Sequence, residues 1–267
     1  MMRWAMSAHL IGLALALAGS AQAGERRTAM SERGVVVQIL EDAPKGSGPF
    51  PVVVLASGAG GDMTQPLLAG LATSLAADGI AVVRFDWAYR TADPAKGQPS
   101  ADLVAETQDL SAALAFARKN VRFDPTQIVV MGKSLGSVVA FRVFVRNPDL
   151  RGAVLLTPLC SLPSRPDAPA WALDPYPDFG GQRRPVALVA GDKDPICSLA
   201  ALYRMAGEPA SPARVAVTGG DHGFAAGAGA DPATAEATRR NLDLAARNAA
   251  DAAAAYLRAL PASAAGK

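Results

Sequence analysis

Cysteine and histidine are scarce in this chain, with two of each in 267 residues. Two thiols cannot build a disulfide-dense scaffold or a four-thiolate zinc site. Two imidazoles exclude a histidine-rich metal centre. An excess of charge of one sign is also missing: 26 Lys and Arg against 24 Asp and Glu leave a formal net charge of +2. That is too little to imply nucleic acid or an anionic membrane surface as a partner. A composition of 50% hydrophobic and 19% charged residues is globular and excludes a largely disordered chain.

Long apolar runs are lacking too. The run from Leu10 to Ala18 follows Arg3 and precedes Ala21-Gln22-Ala23. It is too short for an ordinary membrane span. A positive start, a short apolar centre and an A-x-A end describe a secretory signal peptide. Cleavage is expected after Ala23, so that residues 24–267 form one exported domain, periplasmic or secreted, with no membrane span. Gly24 stands where a lipid-anchored lipoprotein would have cysteine. Removing the signal removes His9, which leaves His222 as the one histidine of the mature chain. Any histidine-dependent chemistry must use it.

Apolar runs and helical spacing alternate along the rest. Val35–Leu40, Val52–Ala56, Ile80–Phe85, Ile128–Met131, Ala153–Leu156, Val186–Ala190 and Arg214–Thr218 read as strands. Between them, Leu67, Leu68, Leu71 and Leu75 mark one helical face, and Leu103, Thr107, Leu110, Leu114 and Ala117 another. Leu135–Arg146 and Ala200–Ala206 read as helices, and Leu242 to Leu260 carries the stripe of a long last one. Asp124-Pro125 reads as a turn. Buried strands separated by helices predict a mostly parallel sheet with helices on both faces, a three-layer α/β/α domain. The connection 157–185 is unlike the others. It carries seven prolines from Pro158 to Pro185, together with Trp171, Tyr176 and Phe179. A long connection without periodicity suggests a functional loop or lid.

Three glycine-rich readings compete for the chemistry. Gly132-Lys133-Ser134-Leu135-Gly136 is a G-x-S-x-G between an apolar strand and a helix, the context a nucleophile elbow requires. Its Gly-Lys-Ser also suggests a phosphate loop, but that motif needs glycine at position 127, where Gln127 stands. Gly58-Ala59-Gly60-Gly61 could begin a dinucleotide fingerprint with Asp86 as the ribose acid, but Met63 occupies the place of its last glycine. No cofactor and no metal are therefore expected.

A serine needs a base to take its proton and a third group to orient that base. His222 lies in the loop Gly219-Gly220-Asp221-His222-Gly223-Phe224, beyond the last strand. Catalytic groups collect at such loops in open α/β sheets. Asp192 and Asp194, in Gly191-Asp192-Lys193-Asp194-Pro195, both qualify as the orienting acid. Asp221 does not, because adjacent side chains diverge.

Five short segments occur in one order: Ser57-Gly58-Ala59-Gly60-Gly61, Arg84-Phe85-Asp86, Gly132-Lys133-Ser134-Leu135-Gly136, Gly191-Asp192-Lys193-Asp194-Pro195 and Asp221-His222-Gly223-Phe224. With them, the chain from about Val35 to Leu260 resembles the α/β-hydrolases, and most of all the compact dienelactone-hydrolase-like branch. The resemblance implies the α/β-hydrolase fold and a Ser134, His222, Asp194 triad, with the acid at the aspartate before proline. It also implies an oxyanion hole at the backbone N–H groups of Leu135 and Ala59, worth about 3–4 kcal/mol per donor. Dienelactone hydrolases proper use a cysteine nucleophile, so Ser134 argues against that specific reaction.

The expected function is an exported serine hydrolase that cleaves a carboxylic ester or related acyl bond of a small molecule. The competing expectation is a non-catalytic exported binding protein on the same scaffold, against which the intact serine, aspartate and histidine argue. Trp171 and Tyr176 are expected to wall the substrate pocket. Cys160 and Cys197 follow consecutive strands, which are usually neighbours. In an oxidising compartment they are expected to pair as a disulfide.

Overall fold

Runs that are apolar without interruption have no water-facing side, and here Val52–Ala56, Ile128–Met131, Ala153–Leu156 and Val186–Ala190 are all buried in one sheet. In this computed structural model, which describes residues 24–160, 168–211, 213–229 and 231–259, the strands are β1 (Glu25–Met30), β2 (Val36–Asp42), β3 (Phe50–Ala56), β4 (Ala81–Phe85), β5 (Phe123–Lys133), β6 (Gly152–Leu156), β7 (Val186–Gly191) and β8 (Arg214–Thr218). Their order is β1-β2-β4-β3-β5-β6-β7-β8. The β1–β2 and β2–β4 pairs are antiparallel and all others parallel. The expected signal peptide, residues 161–167 of the proline-rich connection, and Leu260 lie outside the described residues.

The helices are α1 (Pro66–Ala77), α2 (Ala88–Ala92), α3 (Val104–Lys119), α4 (Leu135–Arg146), α5 (Ala170–Leu173), α6 (Leu199–Gly207) and α7 (Pro232–Arg258). Strand residues alternate between two cores. Val52, Val54 and Ala56 of β3 face the side of α3, α4 and α6, while Val53 and Leu55 face α1 and α7. Proline at the first turn of α1 wastes no hydrogen bond, because that N–H would have no partner in the helix. Asp231 caps α7 by accepting from the Ala233 and Thr234 N–H groups. Among the described residues no helix is long and apolar enough to cross a membrane.

The fold departs from expectation in four places. β1 carries no apolar run because it is an edge strand, mostly exposed. α2 is five residues long, too short to leave a periodicity. Asp124-Pro125 lies inside β5, where the pairing with β3 shifts register between Phe50 and Val52; proline is tolerated at such an irregularity. The described part of the 157–185 connection is partly ordered, with α5 and a 3-10 turn at Phe179–Gly181.

β5 is central. From it the chain order runs outward in both directions, through β3 and through β6, and the carboxyl ends of strands at such a switch point are where open α/β sheets place their sites.

Candidate active site

Ser134 joins β5 to α4 with φ 53° and ψ −121°, a conformation costly for a residue with a side chain. Backbone crowding maintains it. A Cβ on Gly132 would meet the Gly136 carbonyl, and a Cβ on Gly136 would meet the Ser57 carbonyl. Both flanking positions therefore require glycine. The Ser134 N–H donates to the Leu156 carbonyl at 2.9 Å, which ties the elbow to β6.

The structure brings Ser134, His222 and Asp194 together. His222 Nε2 lies 2.9 Å from Ser134 Oγ. His222 Nδ1 lies 2.8 Å from Asp194 Oδ2. An ionised carboxylate only accepts, so Nδ1 carries the proton and Nε2 is free to accept from the serine hydroxyl. The other carboxylate oxygen, Asp194 Oδ1, accepts the N–H groups of Ile196 at 2.8 Å and Cys197 at 3.2 Å. The Asp194 side chain has no exposed surface. Asp192 is exposed and serves the loop instead: its Oδ1 accepts the Gly220 N–H at 2.8 Å. Asp221 turns onto its own loop, accepting from Gly223 and Ala225. Beside Ser134, burial holds the Lys133 ammonium below its usual pKa, and the carboxylates of Asp194 and Asp221 oppose that shift.

The loop after β3 approaches the serine at Gly58. A Cβ on Gly58 would stand 3.4 Å from the Ser134 Cβ, so glycine leaves this approach open. The Gly58 carbonyl accepts the Gly61 N–H at 3.1 Å. A trans peptide points its N–H opposite to its carbonyl, so this bond turns the Ala59 N–H the other way. Trp87 Nε1 donates to the Ser57 carbonyl at 3.2 Å, and the Tyr89 hydroxyl donates to the Ala59 carbonyl at 2.9 Å. Asp86 Oδ1 accepts the Met63 N–H at 2.7 Å, and burial raises its carboxyl pKa. Among the described residues, neither the Leu135 nor the Ala59 N–H has an acceptor. Leu135 is the first residue of α4, where a helix leaves its N–H groups unsatisfied and its dipole favours negative charge.

The two aromatic residues expected at a pocket wall each line a cavity, and neither cavity is lined by Ser134, Asp194 or His222. Tyr176 is a core residue: it packs edge-on against Phe141, with ring centroids 5.7 Å apart, and its hydroxyl lies within hydrogen-bond distance of Ser137 Oγ and of the Leu159 N–H. With Leu159, Phe179 and Met205 it also lines a cavity of about 180 Å³, which none of Ser134, Asp194 and His222 lines. Trp171 lines an open cleft of about 530 Å³ with Asp102, Arg142, Arg146 and Asp174, and none of Ser134, Asp194 and His222 lines it. Cys160 and Cys197 are joined in a disulfide with Cα atoms 5.0 Å apart. The sequence reading passed over Trp87, Tyr89 and Ser137. The first two follow Arg84-Phe85-Asp86 directly, and that adjacency was the available signal.

Residues 50–253 match the family model of the α/β hydrolase domain. A stretch of 88 residues is 36% identical to a quorum-quenching protein of Acinetobacter baumannii; it covers 32% of this chain and 28% of that relative's length. An α/β serine hydrolase homologue from Coxiella burnetii superposes with a TM-score of 0.63 at 19% identity, covering 86% of this chain and 99% of that one. A dienelactone hydrolase from Anabaena variabilis superposes with a TM-score of 0.65 at 19% identity, covering 89% and 100%. The matched span runs from the start of β3 into α7 and takes in the elbow, the acid loop and the histidine loop; the chain belongs to the α/β-hydrolase domain family.

Proposed function

We propose that the protein is an exported serine hydrolase that cleaves a carboxylic ester or related acyl bond of a small molecule through an acyl-enzyme. The observation that carries the reading is the hydrogen-bonded line from Asp194 through His222 to Ser134.

In this reading Ser134 Oγ attacks the acyl carbon as its proton passes to His222 Nε2. The imidazolium so formed keeps its Nδ1–H on Asp194 Oδ2, while two backbone N–H groups hold the other carboxylate oxygen in place. The carbonyl oxygen becomes an oxyanion facing the N–H groups of Leu135 and Ala59. Collapse breaks the ester C–O bond, and the leaving oxygen takes the proton from Nε2. Water then repeats the sequence: it gives a proton to His222, attacks the acyl carbon and restores the Ser134 hydroxyl.

Fluorophosphonate labelling tests the nucleophile. The expected outcome is one label, on Ser134, with hydrolysis of p-nitrophenyl esters lowered by at least about 10³-fold in Ser134→Ala and an unchanged fold. Activity within about tenfold of wild type would end the assignment. Esters of increasing acyl length then define the substrate. Export rests on the Arg3, Leu10–Ala18 and Ala21-Gln22-Ala23 pattern. Its test is the N-terminus of the exported protein, expected at Gly24.

A further inference from the structure

The Leu135 N–H shares its peptide plane with the Ser134 carbonyl. Whatever holds that carbonyl also aims the N–H in the opposite direction. The Ser134 carbonyl accepts twice from Ser137, from its N–H at 2.9 Å and from its hydroxyl at 2.6 Å. Ser137 Oγ lies 2.7 Å from the Tyr176 hydroxyl, which accepts the Leu159 N–H at 2.8 Å.

The direction of every bond in this line is fixed by the donor inventory. A carbonyl only accepts, so the one hydroxyl proton of Ser137 goes to Ser134. Ser137 must then accept from Tyr176, whose own oxygen takes the Leu159 N–H. Ser137 has no exposed surface and Tyr176 is 7% exposed. Burial keeps the phenol protonated by raising its pKa well above the usual range. Leu159 is anchored in turn, because the next residue is Cys160, bonded to Cys197.

We propose that Tyr176 is a positioning residue for oxyanion stabilisation: by donating to Ser137 it stops that hydroxyl from rotating, and so locks the 134–135 peptide with its N–H toward the acyl oxygen. The proposal rests on the serine-hydrolase reading above. Without the Tyr176 hydroxyl, the Ser137 oxygen loses its donor and the buried Leu159 N–H loses its acceptor. The Ser134 carbonyl is then held less firmly, and the cost falls on the transition state, where the oxyanion exists.

The test uses the full mature protein, comparing Tyr176→Phe, Ser137→Ala and the double variant on a p-nitrophenyl ester. Inhibition by an alkylboronic acid, which mimics the tetrahedral intermediate, is measured alongside. Each single variant should lower kcat by about 5–30-fold with KM within about twofold, and boronic acid affinity should fall in parallel. The double variant should be no slower than the worse single one, because both act through one carbonyl. A kcat within twofold of wild type, a loss confined to KM, or losses that multiply in the double variant would overturn the proposal. Should Tyr176→Phe fail to fold, Ser137→Ala decides by the same kcat and boronic acid readings. Ester turnover that Ser134→Ala abolishes keeps the serine reading standing whatever Tyr176→Phe does. Absence of turnover in the wild type overturns both.

Discussion

The two sides of the sheet are built from different materials. The side covered by α3, α4 and α6 is rich in aromatics: Phe85, Trp87, Phe123, Phe141, Phe144, Tyr176 and Phe179 are buried there. The α1 and α7 side is built of leucine and alanine, with Ala245, Ala246, Ala249, Ala250, Ala252, Ala253 and Ala254 buried along one helix. Small side chains let α7 approach closely; a Cβ on Gly70 of α1 would stand 3.9 Å from the Ala246 Cβ. An aromatic ring with an N–H or O–H can be buried only if that tip finds a partner. Here the tips of Trp87, Tyr89 and Tyr176 reach carbonyls or hydroxyls of the segments around Ser134. Alanine has no such tip. The aromatic side therefore sets the geometry around Ser134, while the alanine side closes the fold and holds the loop of His222, through buried Phe224 and through Thr238 and Asn241 of α7.

The two aspartates of one loop divide in the same way, which sharpens the comparison most. Asp194 is held by N–H groups next to and at Cys197, a buried residue of the aromatic side. Asp192 braces Gly220, whose loop is rooted on the other side by buried Phe224. Asp194→Asn should lower kcat by about 10³–10⁴-fold, because an amide favours the wrong histidine tautomer. Asp192→Asn keeps an oxygen acceptor for the Gly220 N–H and should cost less than about tenfold. Steady-state kinetics of both variants check this, and the reverse ranking would break the division.

Most of the sheet was legible because both faces of its strands are buried, which leaves unbroken apolar runs such as Val186–Ala190. β1 was not, since an exposed edge strand needs no apolar pattern. α7 was read from Leu242, although it begins ten residues earlier at Pro232; its first turns are largely exposed, so only the cap at Asp231 marks them. The residues of the proposed triad were legible because residues 24–267 hold one histidine and Ser134 is flanked by required glycines. The core packing of Tyr176 against Phe141 was not legible, because an aromatic residue in a proline-rich connection has no periodicity to mark it.

The disulfide belongs to the aromatic side and joins the acid loop to the residue after Leu159. Replacing both partners, Cys160→Ser with Cys197→Ser, releases a closed loop of 37 residues. By chain entropy this costs about 3–4 kcal/mol, which lowers Tm by about 6–15 °C in a domain of this size. Calorimetry measures that shift. Because the Cys197 N–H holds Asp194, kcat should also fall, by several-fold. A stability loss with kcat unchanged would mean that the bond serves the fold alone.

The smallest effect is expected on the alanine side, and it is the cleanest control. Ala249 has no exposed surface and packs in the core beneath α7. Ala249→Leu adds three carbons where the helix has no room to withdraw, an overpacking that costs about 1–3 kcal/mol. The corresponding drop in Tm is about 2–10 °C. Among the described residues no side-chain hydrogen bond to the segments around Ser134, Ala59 or Asp194 originates from this helix position, so kcat and KM at 25 °C should stay within about twofold of wild type. A kcat loss as large as that expected for Tyr176→Phe, measured well below Tm, would show that strain crosses the sheet freely. The two sides would then share the task of holding Ser134.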